Sequence, residues 1–184
     1  MKVNKSGFTL VELLIVIIVI GILSGIVLVT YNGLQARARD TRRMADLQNI
    51  AEAIGSYRAK YGNDVSTGSG CGYGGDGFGW FNYTGSSYPK SILTCLTEKG
   101  YLSSSIIDPF NCATTTDGPP CKQQGYAYMK YTSGSGDTSV TCVYAHLEAS
   151  GSTSDLTDSS NPCYSASSST VATSYGMNYY VLVK

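Results

Sequence analysis

The chain is short of reactive groups. His146 is the one histidine in 184 residues, and neither a nucleophile motif nor paired carboxylates at a readable spacing accompany it. General acid–base and nucleophilic catalysis need such constellations, so a non-enzyme is expected. No cysteine lies in a C-x-x-C pair, which with a single histidine argues against a zinc or dithiol redox centre. Asp108, Asp117 and Asp137 are too scattered to form the compact oxygen-ligand spacing of a calcium loop. No metal and no cofactor are expected. Basic charge is scarce beyond the first third: residues 63–184 hold five Lys/Arg against nine Asp/Glu. Nucleic-acid binders show a basic footprint, so no nucleic-acid contact is expected from this part. Charge nearly vanishes at the start, where Glu12 alone interrupts an apolar run from Phe8 to Val29.

That run is the most informative stretch. A bilayer core of about 30 Å takes about 20 apolar residues in a helix, and Phe8–Val29 is long enough to span it. A secretory signal peptide is the rival reading. It fits poorly, because the run exceeds an ordinary h-region and no small-x-small cleavage site ends it. An acid near the centre of a bilayer helix costs roughly 2.5–3.5 kcal/mol on insertion scales, so Glu12 calls for a partner. A carboxylate that snorkels to the cytoplasmic interface is the alternative. Gly21 and Gly25, with Ser24 beside them, form a small-xxx-small pair that permits close helix approach in an apolar medium. Glycine is also simply common in membrane helices.

The order of residues here resembles a known family. Gly7-Phe8-Thr9-Leu10-Val11-Glu12-Leu13-Leu14-Ile15-Val16-Ile17, behind Lys2 and Lys5, resembles the amino-terminal signature of type IV pilins and of the pseudopilins of secretion and competence systems. The resemblance implies that a prepilin peptidase cuts the Gly7–Phe8 bond on the cytoplasmic side and that Phe8 is then N-methylated. It implies that Glu12 meets the amino terminus of Phe8 on a neighbouring subunit, giving a helical homopolymer built by the pilus assembly machinery. A single-pass membrane protein with a cytoplasmic amino terminus is implied first, and afterwards an extracellular pilus or a periplasmic or cell-surface pseudopilus. Many pilins carry a proline late in this helix, near the position of Val29, and this chain has none. The implied function is that of a structural filament subunit. The alternatives are a type II secretion or competence pseudopilin, or a minor tip pilin or adhesin.

Beyond the span, no strong breaker occurs before Gly62-Asn63, a suitable helix stop. Leu47, Ile50, Ile54, Tyr57 and Tyr61 recur at steps of three and four, an amphipathic stripe. Phe8–Tyr61 therefore reads as one helix, roughly 80 Å long. Arg37, Arg39, Arg42 and Arg43 follow the span and read as a solvated face, or as contacts for lipid headgroups and a neighbour's acidic surface. The expected organisation is a leader over 1–7, a membrane or filament-core helix over 8–30, its amphipathic half over 31–62 and a disulfide-bonded head over 63–184.

All six cysteines lie in the head: Cys71, Cys95, Cys112, Cys121, Cys142 and Cys163. An even number in an exported segment reads as a disulfide framework, with Cys112–Cys121 the best single pairing across Gly118-Pro119-Pro120. Strand patterns fall late, at Tyr126–Tyr131, Ser139–Glu148 and Met177–Val183, the first two joined by a Ser133–Asp137 turn. The expected fold is α+β: a long amino-terminal helix packed on a small antiparallel sheet, pilin-like. Tyr88-Pro89, Gly100-Tyr101-Leu102, Asp108-Pro109-Phe110 and Tyr126-Ala127-Tyr128 occur in an order that looks like the globular part of major pseudopilins. The Gly68–Tyr88 stretch mixes eight glycines with aromatic residues. It reads as a connector whose rings cover the sheet, or as a loop that captures a surface. Ser150–Ser174 reads as an exposed Ser/Thr-rich loop held by Cys163.

Overall fold

A computed structural model describes residues 9–62, 65, 71, 79–81, 90–104, 106–109, 128–133, 140–149, 156, 158, 160–163 and 176–184. Its dominant element is α1, Leu10–Tyr61, a single helix of 52 residues. Local chemistry sets both ends. Thr9 is the N-cap, in extended conformation, and its hydroxyl accepts the Glu12 N–H. At the other end Gly62 takes the left-handed conformation (φ 71°) and its N–H bonds to the Arg58 carbonyl, a geometry glycine adopts without a Cβ penalty.

The head packs on α1 from Arg39 onward. Four strands, β1 (Gly79–Trp80), β2 (Tyr128–Ser133), β3 (Val140–Ala145) and β4 (Tyr179–Leu182), form one sheet in the order β1-β2-β3-β4. Every pairing is antiparallel, with Met129 opposite Tyr144 and Val143 opposite Val181. A short helix, α2 (Ile92–Glu98), begins at Ser91, whose hydroxyl caps the Thr94 N–H at 3.1 Å.

The stripe expected on α1 is the core. Leu47, Ile50 and Ile54 are fully buried against Phe81, Leu93, Leu96, Val143 and Ala145. Burying one such side chain contributes about 1.5–3 kcal/mol. The middle strand β3 is covered on both sides: Thr141 through Ala145 are all buried, and the Tyr144 hydroxyl donates to the Cys163 carbonyl at 3.0 Å. Gly55 lets the chain after β4 cross α1 closely. A Cβ there would sit 2.6 Å from the Lys184 carbonyl oxygen.

Among the described residues two disulfides pin the irregular segments, Cys71–Cys95 onto α2 and Cys142–Cys163 onto β3. Closing loops of 24 and 21 residues stabilises by about 3 kcal/mol each in the chain-entropy account. Cys112 and Cys121 lie outside the described residues, as do Gly7, Phe8, Asp117 and Asp137. Two elements were not expected from sequence. The glycine-rich connector supplies β1, and α2 follows it; Phe81, at the end of β1, is fully buried.

Candidate functional site: an exposed rod and a buried charge cluster

The first half of α1 stands clear of the core. Every residue from Thr9 to Val27 is exposed, and large side chains such as Leu10 (78%) and Ile22 (61%) stand in the open. A contiguous apolar surface of this extent marks a membrane or protein interaction surface. The helix is long and apolar enough to cross a membrane. Gly21 and Gly25 lie one turn apart on one face, with nothing within 4 Å of where a Cβ would be. Glu12 stands about two and a half turns before Gly21 at 3.6 residues per turn, so it occupies the opposite face.

Glu12 is locally engaged. Its Oε2 accepts the Thr9 N–H at 2.7 Å and the Thr9 hydroxyl at 2.8 Å, while its own N–H donates to Thr9 Oγ1 at 3.3 Å. This reciprocal capping box satisfies amides that the first helical turn cannot satisfy itself. From sequence Glu12 called for a partner, and the structure gives it one three residues back. The signal was present as Thr9-x-x-Glu12. Both side-chain bonds fall on Oε2, which leaves Oε1 open among the described residues.

The second site lies where α1 meets the head. Arg43 is fully buried among three carboxylates. Its Nε donates to Asp108 Oδ2 at 2.6 Å and its Nη2 to Asp108 Oδ1 at 3.1 Å, a two-pronged pair, and its Nη1 bonds to Glu148. Asp40 approaches Arg43 at 3.5 Å and accepts the backbone N–H groups of Glu148 and Ala149, each at 2.8 Å. Arg39 completes the cluster with an Nη2–Glu148 contact of 2.7 Å. Three segments thus converge on one turn of helix: residues 39–43, the stretch around Asp108 and the stretch after β3.

Burial alone would push the Glu148 carboxyl up, but hydrogen bonds from Arg39 and Arg43 outweigh it and hold the group below its ordinary range. Burial likewise opposes the charge on Arg43, and its bonds to Asp108 and Glu148 more than restore it. The arginines divide accordingly. Arg39 and Arg43 are not part of a solvated face, because carboxylates of the head, Asp108 buried and Glu148 half-buried, draw them inward. Arg37 and Arg42 remain exposed. Asp108, a thin calcium candidate by sequence, is instead the partner of Arg43, and no cluster suited to a metal ion occurs among the described residues. His146 is structural too: its Nδ1 lies 2.6 Å from the Gly176 carbonyl.

No curated protein and no solved structure matches the chain. At its amino terminus, residues 2–28, the rod and the residues leading into it, match the prokaryotic N-terminal methylation motif, the signature of type IV pilins and pseudopilins.

Proposed function

We propose that the chain is the structural subunit of a type IV pilus or pilus-like filament. In this reading a prepilin peptidase removes residues 1–7 at the Gly7–Phe8 bond, and Phe8 is then N-methylated. The rod over 8–30 holds the subunit in the membrane and afterwards packs in the filament core. Residues 31–62 carry the head over 63–184 outward. The observation that supports this best is an apolar rod, exposed from Thr9 to Val27, whose one acid keeps an unused oxygen among the described residues. Opposite charges brought together in a low-dielectric medium attract strongly. The Oε1 of Glu12, offered to the new amino terminus of a neighbour's Phe8, therefore sets register where apolar contacts alone permit sliding. Close approach at Gly21 and Gly25 adds packing in an environment that supplies no hydrophobic drive between helices.

Mass spectrometry of sheared filaments tests the proposal. The dominant protein is expected to begin with a methylated Phe8. A species retaining Met1, or one cut beyond Val29, overturns it.

A further inference from the structure

We propose that the bare neck of α1, Tyr31 to Arg37, docks on the lipid headgroups of the bilayer holding the unassembled chain, with the Arg37 guanidinium taking a lipid phosphate. The inference rests on the membrane step of the proposed function. Between the apolar run and the first fully buried residue, Asp40, α1 touches little of the head: Tyr31 is 56% exposed and Leu34 63%. Of the four arginines past the run, three are engaged. Arg39 and Arg43 belong to the buried cluster, and Arg42 lies 3.8 Å from Asp46 while donating to the Ile107 carbonyl at 3.5 Å. Arg37 is exposed, and its side chain has no ion pair or hydrogen bond among the described residues. Its backbone carbonyl accepts the Thr41 hydroxyl at 2.9 Å.

Position and chemistry agree. Arg37 stands about 12 Å beyond Val29 along the helix, and the headgroup layer is roughly 5–7 Å deep on each side of a bilayer. Cα–Cβ bonds in a helix tilt toward its amino terminus, which for this topology is toward the bilayer. A long arginine stem therefore leans back into the headgroup layer. Tyr31, one turn or less past the run, has the amphipathic ring that settles at that level. Guanidinium grips phosphate through two parallel N–H bonds.

The full chain in nanodiscs containing phosphatidylglycerol, studied by nitrogen-to-phosphorus recoupling in solid-state NMR, gives the test. The Arg37 guanidinium is expected to couple to lipid phosphorus while those of Arg39 and Arg43 stay silent. Enrichment of phosphatidylglycerol over phosphatidylcholine around the chain should fall roughly fivefold in Arg37→Gln and change little in Arg42→Gln. A silent Arg37 in an inserted chain overturns the inference alone. Failure to insert overturns this inference and the membrane step together.

Discussion

The two halves of α1 share one backbone and follow opposite rules. From Leu10 to Val27 the helix is apolar on every side, fully exposed, and has one charged residue, held by a local cap. From Arg39 to Tyr57 it is amphipathic, with one face buried in the head and the charges of Arg39 and Arg43 neutralised by residues more than sixty positions away. The first half leaves its apolar surface exposed. The second is complete within one chain. A variant can therefore damage assembly without touching the fold, or the reverse.

The largest effect that would separate them comes from Glu12→Leu. Filament yield is expected to collapse while the thermal unfolding of the head in detergent stays unchanged; unaltered filaments would remove Glu12 from register-setting. Arg43→Met should do the converse. Removing the buried guanidinium takes the two-pronged cation from Asp108 and leaves Glu148 to Arg39 alone, and breaking such a buried pair costs about 3–5 kcal/mol, readable in denaturant unfolding of the full chain. A loss below 1 kcal/mol would show that the cluster is no stronger than a surface pair.

Acid sharpens the contrast further. Glu148 titrates below its ordinary 4.5 in the folded head, so the unfolded chain binds a proton first as pH drops. The stability it contributes is full above about 4.5 and disappears as pH falls through the lower folded value. Unfolding midpoints measured down this window should fall in the parent and fall less in Glu148→Gln. The smallest effect is expected at Tyr101, whose hydroxyl is buried without a hydrogen-bond partner among the described residues. Tyr101→Phe removes a polar atom that gains nothing from its surroundings, so stability should hold or rise slightly; a clear loss would reveal a partner for that hydroxyl.

Much of this was legible in the residues. The stripe of Leu47, Ile50 and Ile54 marked the buried face, because a 3.6-residue period leaves few other ways to hide those side chains. The Gly62 stop and the late strands were visible for similarly local reasons. Three features were harder. β1 and α2 were obscured because glycine-rich spacing and a seven-residue helix carry little periodicity. The inward turn of Arg43 went unseen although it lies four residues before Leu47, on the extension of the same stripe. Arginine is ordinarily placed in solvent, and only its carboxylate partners reverse that.

Residues near one another in the chain were enough to determine the rod, the cap that Thr9 and Glu12 build, the helix end at Gly62 and the leader-proximal motif, since each depends on spacings of a few positions. Tertiary structure alone decided which arginines are buried, which cysteines meet and where Asp108 and Glu148 lie. Those outcomes depend on segments far apart in sequence being brought within about 3 Å, a distance at which desolvation and pairing, rather than residue type, set where a charge can reside.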